Sequence, residues 1–152
     1  MTTTVHGTQM PLSTDHRHPA AGPALPAHSQ QLPIRRIVVG LSLTVLAAIH
    51  VLDLPGKFAE TPYLAVAYIG LVVTALVIAE RLFVVGSRRD FAAAASLSVL
   101  VIAGFVVNRT VGMPGAMDDI GNWLEPLGLL SLLVEAFVVW QAAAALLTRT
   151  RH

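Results

Sequence analysis

The chain has 152 residues, 55% of them hydrophobic and only 12% charged, with a net charge of +1 and a mean hydropathy of +0.68. Soluble domains carry roughly 25% charged residues, so a bilayer is the expected main solvent, and there is no clustered basic face for nucleic acid. With no cysteine in the chain, disulfide frameworks, cysteine zinc sites, iron–sulfur ligation and thiol catalysis are excluded.

Residues 1–33 stand apart from the rest. The run "HPAAGPALPAHSQQLP" is rich in proline, alanine and small polar residues and has no apolar period. Such a segment buries too little surface to offset its ordering entropy, so a disordered cytoplasmic tail is expected. It also lacks the apolar core of a secretory signal, which leaves the first membrane helix as an uncleaved anchor. His16 and His18 in "DHRH", together with His6 and His28, give a weak divalent-metal signal within this tail.

Four apolar stretches follow: "IVVGLSLTVLAAIHVLDL" (37–54), "YLAVAYIGLVVTALVIAERLFVV" (63–85), "FAAAASLSVLVIAGFVVNR" (91–109) and "PLGLLSLLVEAFVVWQAAAALL" (126–147). Each is near the ~20 residues that span a hydrocarbon core. In lipid a segment must satisfy its own backbone, and these runs lack the alternation of barrel strands. The expected fold is therefore all-α: a four-transmembrane-helix bundle over 34–148, with a short cytoplasmic tail at 149–152. Pro55-Gly56 and Pro62 bracket the first expected loop, Gly86 opens the second, and Pro114-Gly115 lies within the third. Pro126 suits the first turn of helix four, where its missing N–H costs nothing.

Charge sets the expected orientation. Arg35, Arg36, Arg81, Arg88, Arg89, Arg149 and Arg151 fall on one side. The other side holds Lys57 and Arg109 with five acids, Asp53, Glu60, Asp118, Asp119 and Glu125. The positive-inside rule then puts both termini in the cytoplasm of a multi-pass plasma-membrane protein, with Tyr63 and Trp123 at the outer interface. The loops are too short for a soluble catalytic domain, so any chemistry must occur between the helices or at their outer mouth.

Ionisable residues near a helix centre cost at least ~2.5–3.5 kcal/mol each on insertion scales, and each calls for a partner. The candidates are His50, Glu80, Arg109 and Glu135. Glu135 lies roughly 14 Å below the outer interface at 1.5 Å per residue. Its stripe of Gly128, Ser131 and Ala142 is small or polar, as at a helix–helix seam. Helical side chains lean toward their own N-terminus. Glu135 therefore leans outward while His50 and Arg109 lean inward, and the expected partner of Glu135 is Arg109, directly or through water. That pair reads first as an architectural clasp; a solute, proton or ion pathway and a metal or cofactor site are the further readings.

The supporting residues are weaker signals. Asp53, three residues after His50, is placed to hold one of its ring nitrogens. Glu60 and Glu125 flank the same region, and Glu80 reads as a structural group near the cytoplasmic end of helix two. Gly70 and Thr74 form a small-xxx-small pair suited to close packing. Met113 and Met117 in "GMPGAM" add thioethers to His50 as thin copper(I) candidates. The stretch "NRTVGMPGAMDDIGNWLEPLG" turns tightly, with Asp118 or Asp119 placed to cap a short interfacial helix, and it reads as an ordinary outer loop or as a lid over His50, Arg109 and Glu135.

His50, Glu60, "RTVGMPG" and the "EPLG" that leads to Glu135 also carry a resemblance. Over residues 35–147 the chain resembles a group of uncharacterised actinobacterial four-helix integral membrane proteins, whose specific mark is an RTxGxP run followed at a distance by two glutamates. The resemblance implies the four-helix architecture and singles out the same residues. No nucleophile–base pair or carboxylate dyad is visible, which points away from an enzyme, and no cofactor is required by the sequence. Two expectations remain: a non-enzymatic accessory or interaction subunit, docking in a homo-oligomer or larger membrane complex, and a small transport or metal-handling protein using His50, Arg109 and Glu135.

Overall fold

The computed structural model describes residues 1–2 and 27–148. Four helices carry the chain, α1 (Ala27–Glu60), α2 (Pro62–Val84), α3 (Arg88–Thr110) and α4 (Pro126–Thr148), with a 3-10 turn at Met117–Asp119 and no strand among the described residues. Leu32–Glu60 of α1 and the whole of α2, α3 and α4 are long and apolar enough to cross a membrane. The all-α four-helix expectation holds, and this is a membrane-embedded architecture.

The helices alternate in direction. The α1–α2 and α3–α4 connections lie at one end of the bundle, the loop end. The α2–α3 connection lies at the other, the arginine end, where Arg36 donates to the carbonyls of Leu82 and Phe83 at 2.9 Å. Helix α1 packs along α2 and α4, and α3 packs along α4. Although only residues 85–87 separate α2 from α3, these two share the loosest seam between chain neighbours.

Helix α1 departs from expectation at both ends. It begins at Ala27, inside the stretch expected to be a disordered tail, and it runs through Pro55-Gly56 to Glu60, where a loop was expected. Pro55 deletes only the hydrogen bond to the carbonyl of Val51. Lys57, buried and ion-paired to Glu60 and Asp119, holds the following turn against the bundle. The first connection thus shrinks to Thr61, whose N–H closes on the Lys57 carbonyl at 2.9 Å, and Pro62 opens α2 at once. The tail expectation over 3–26, the histidines His6, His16 and His18, the side chain of His28, and Arg149 and Arg151 lie outside the described residues.

Helix α3 has a capping box. The Ser87 N–H and hydroxyl both donate to Asp90 Oδ2, at 2.8 and 2.7 Å, and the Asp90 N–H donates back to the Ser87 hydroxyl. Arg81 donates from Nε to the other Asp90 oxygen at 2.7 Å, tying the end of α2 to the start of α3. Arg81, near the end of α2, thus has a carboxylate partner in the first turn of α3.

The packed core occupies the arginine half of the bundle. Val39, Leu43 and Leu46 of α1 meet Ile78 and Leu82 of α2, Phe91 of α3 and Val138 of α4. Ala79, Ala94, Ala142 and Ala145 let the backbones approach, and close packing of this kind holds helices together where lipid offers no hydrophobic contrast. The loop half is different, because there the helices surround a cavity.

Candidate functional site

The cavity measures about 280 Å³ and takes lining from all four helices and from the α3–α4 connection. Helix α1 contributes His50, Asp53 and Lys57; α2 contributes Tyr68; α3 contributes Asn108 and Arg109; α4 contributes Ser131 and Glu135. Leucines from α2, α3 and α4 supply the apolar part of the wall. On the α2/α3 side its rim includes Ala67 and Leu100, both exposed, Leu100 at 69%. The cavity wall therefore reaches the surface at the loose α2/α3 seam, on the face that lipid would cover.

Arg109 closes the loop end. Its Nη1 bonds Asp119 Oδ1 at 2.6 Å, its Nη2 pairs with Glu125 Oε2, and Nη1 also reaches the Asp119 carbonyl at 3.3 Å. The guanidinium carbon stands 5.0 Å over the Phe105 ring, a cation–π arrangement. Asp119 is itself shared: Asn108 Nδ2 donates to it at 2.8 Å, and Lys57 Nζ lies 3.7 Å away. Burial works against the charged form of Asp119. The hydrogen bonds from Asn108 and Arg109 and the charges of Lys57 and Arg109 outweigh it and hold the carboxyl below the ordinary aspartate range.

The connection folds back because its backbone can turn. The N–H groups of Val111 and Gly112 both close on the Val107 carbonyl, and Gly112 takes φ +82°, the left-handed conformation that ends many helices. Two further ties follow, from the Gly121 N–H to the Arg109 carbonyl at 2.9 Å and from the Tyr63 hydroxyl to the Pro114 carbonyl at 2.7 Å. The connection is a pinned cover that supplies Met113 and Glu125 to the cavity wall. Asp119 ends the 3-10 turn and pairs with Arg109 instead of capping a helix, and Asp118 is exposed.

Glu135 is fully buried on the α4 side. Ser131, one turn before it, donates to Oε1 at 2.8 Å, while Oε2 has no protein partner. Helix α3 comes close just above: a Cβ on Gly128 would stand 2.6 Å from the Phe105 ring, so the small residue at 128 is what lets α3 and α4 meet here. Across the cavity, His50 Nδ1 lies 2.9 Å from the Leu46 carbonyl. A carbonyl only accepts, so Nδ1 carries the hydrogen, and in the neutral ring Nε2 is left as an acceptor. The ring packs edge-on against Tyr68, centroids 4.8 Å apart.

The three residues expected to meet are divided by this geometry. His50, Arg109 and Glu135 all line one cavity, but Glu135 and Arg109 make no direct bond. Arg109 sits at the end of α3, where two acids of its own connection reach it first. Nor does Asp53 hold the His50 ring nitrogen, since the Leu46 carbonyl, one turn back on the same helix, takes Nδ1. Asp53 and Glu125 do line the cavity; Glu60 and Glu80 lie outside it and are exposed. Of the copper candidates, His50 and Met113 reach the cavity, whereas Met117 is 57% exposed and lies against Gly112. Among the described residues no three His, Cys, Asp or Glu side chains gather as metal ligands.

Lys57, Tyr68, Asn108 and Ser131 are site residues that reading for intramembrane charge passes over. The signal for Lys57 was present, since it and Arg109 are the two bases facing five acids at that end. Tyr68 gave none, because α2 is apolar around its whole circumference and no periodicity marks the cavity face. No family model, curated protein or solved structure matches the chain, so the cavity and its polar lining are what bear on function.

Proposed function

We propose that this chain is a multi-pass plasma-membrane protein, with both termini cytoplasmic, that binds a small molecule in its intramembrane cavity as part of solute handling. The observation that carries this reading is Glu135: a carboxyl group with no exposure, one oxygen held by Ser131 and the other without a protein partner, in the wall of a cavity. A purely architectural glutamate at that depth would be expected to spend both oxygens on the protein, because an unmet buried acceptor is costly. Arg109 belongs to the frame of the site, and His50 and Glu135 are its working groups. The clustering of Arg35, Arg36, Arg81, Arg88 and Arg89 at one end supports the orientation.

The test is extraction of the purified full-length protein followed by mass spectrometry of small molecules. A compound enriched with the wild type and lost from a folded Glu135→Gln variant is the expected result. Equal small-molecule content in both would overturn the reading. Orientation is checked separately with single cysteines, which the native chain lacks. An impermeant thiol reagent applied to intact cells should label Glu60→Cys and spare Arg89→Cys.

A second reading, an accessory subunit that docks on another membrane helix, has its own support. The Gly70/Thr74 pair of α2 faces away from the bundle, and nothing lies within 4 Å of a Cβ built on Gly70. A homo-oligomer or larger complex would close on that face through close backbone approach. Crosslinking between Gly70→Cys chains in native membranes, set beside Val106→Cys on the exposed face of α3, tests it.

A further inference from the structure

The charges around the cavity do not cancel. Lys57 is shared between Glu60 and Asp119, and Arg109 between Asp119 and Glu125, so both bases are committed to acids of the loop end. Two acids of the lining, Asp53 and Glu135, have no basic partner among the described residues. The lining's polar atoms without a protein partner are Glu135 Oε2 and Asn108 Oδ1, both acceptors, and Arg109 Nε, a donor; the Asp53 carboxyl and, with Nδ1 donating to Leu46, His50 Nε2 add acceptors to the same wall. Around them the wall is leucine, valine and aromatic ring.

From this we infer that the cavity takes a small lipophilic cation, an apolar body bearing one protonated amine, which reaches Glu135 from the hydrocarbon through the α2/α3 seam. An amine donates hydrogen bonds and carries positive charge, which suits an acceptor-rich site with two unmatched acids, and charge-assisted hydrogen bonds of this kind are roughly twice as strong as neutral ones. The Tyr68 ring in the wall adds to cation binding, whereas Phe105 already carries the Arg109 guanidinium. The volume is just under the roughly 300–1,000 Å³ of drug-sized pockets, so the body is a single ring or short chain. The route follows from the exposed rim at Ala67 and Leu100, because Arg109, Lys57 and the pinned connection close the loop end. This inference rests on the ligand-cavity reading above.

Three probes of matched shape test it: cyclohexylmethylamine, cyclohexylmethanol and cyclohexanecarboxylate, titrated calorimetrically against the full chain in phosphatidylcholine nanodiscs, with empty nanodiscs subtracted. The amine should bind about tenfold or more tightly than the alcohol, with no binding of the carboxylate. Glu135→Gln should cost the amine at least about tenfold and leave the alcohol little changed. Gly104→Leu provides a second handle, because a Cβ at 104 meets nothing within 4 Å; the larger side chain should obstruct the cavity in a folded protein and abolish binding of both amine and alcohol. Alcohol or carboxylate binding as tightly as the amine, and blocked by Gly104→Leu, would overturn the cation inference and leave the ligand cavity standing. Amine binding unchanged in both variants, or no binding by any probe, would overturn both.

Discussion

Arg109 and Glu135 line one cavity and form no ion pair: the guanidinium is taken by Asp119 and Glu125, and the glutamate is held by Ser131 alone. The two charges most costly to place in this bundle therefore act separately. Arg109 fastens the α3–α4 connection to the end of α3, and Glu135 equips the space that connection covers. Arg109→Ala should accordingly strike stability. Removing one partner of a fully buried pair costs ~3–5 kcal/mol. Asp119 and Glu125 keep 20% and 28% of their side-chain surface, so the loss should be smaller, about 2–3 kcal/mol. An unfolding titration in SDS checks it. Arg109→Lys should recover only part, since a point charge cannot span two carboxylates as a fork does.

Glu135→Gln should behave in the opposite way. The amide oxygen still accepts from Ser131, the volume is unchanged, and a buried acid becomes a neutral group, so stability should stay within about 1 kcal/mol of wild type or rise. The same SDS titration reads this. A loss comparable with that of Arg109→Ala would mean that Glu135 is structural after all, and the functional reading of the cavity would fall with it.

The bundle itself was legible because each helix is uniformly apolar and punctuated by Pro, Gly or a charge pair. Proline misled at Pro33, within the start of α1, and at Pro55, where the tertiary anchor at Lys57 outweighs one missing hydrogen bond. Depth and side-chain direction drew His50, Arg109 and Glu135 toward one region, and all three line the cavity. Partner choice was not legible in the same way, since it depends on how the fifteen or so residues after Thr110 fold back, and that fold combines a local turn at Gly112, the tie from Gly121 to Arg109 and the distant tie from Tyr63 to Pro114. Direction can say which half of a membrane a side chain occupies. It cannot rank Glu135 against two acids that the connection delivers to within bonding distance of Arg109.

The connection's own weak point is Gly112. At φ +82° an added Cβ is strained, and it would also stand 2.9 Å from both Ile120 Cδ1 and Met117 Sδ. Gly121 shares the backbone conformation, φ +78°, with nothing within 4 Å. Gly121→Ala should thus cost only the left-handed penalty, roughly 1–2 kcal/mol, and Gly112→Ala more, because overpacking adds ~1–3 kcal/mol. Protease cleavage within the connection offers a direct readout: Gly112→Ala should be cut faster than Gly121→Ala, and equal rates would show that packing under Gly112 yields freely.

Acid should loosen the same connection, with a sign fixed by Asp119. Its folded-state pKa lies below the ordinary value because Asn108, Arg109 and Lys57 favour the carboxylate over the opposing effect of burial. The folded protein therefore binds this proton less readily than the unfolded chain does. The stabilisation is complete well above the unfolded value of about 3.9. It is lost as pH falls below that value and through the lower folded one. Asp119→Asn removes the carboxylate and should lower stability at pH 7 by about 1–2 kcal/mol, the contribution of charge-assisted bonds discounted for partial exposure. The gap between wild type and Asp119→Asn should stay constant from pH 7 to about pH 5 and then narrow with further acid. A gap that holds its size down to pH 2 would overturn the assignment of this stabilisation to a carboxylate that titrates in that range.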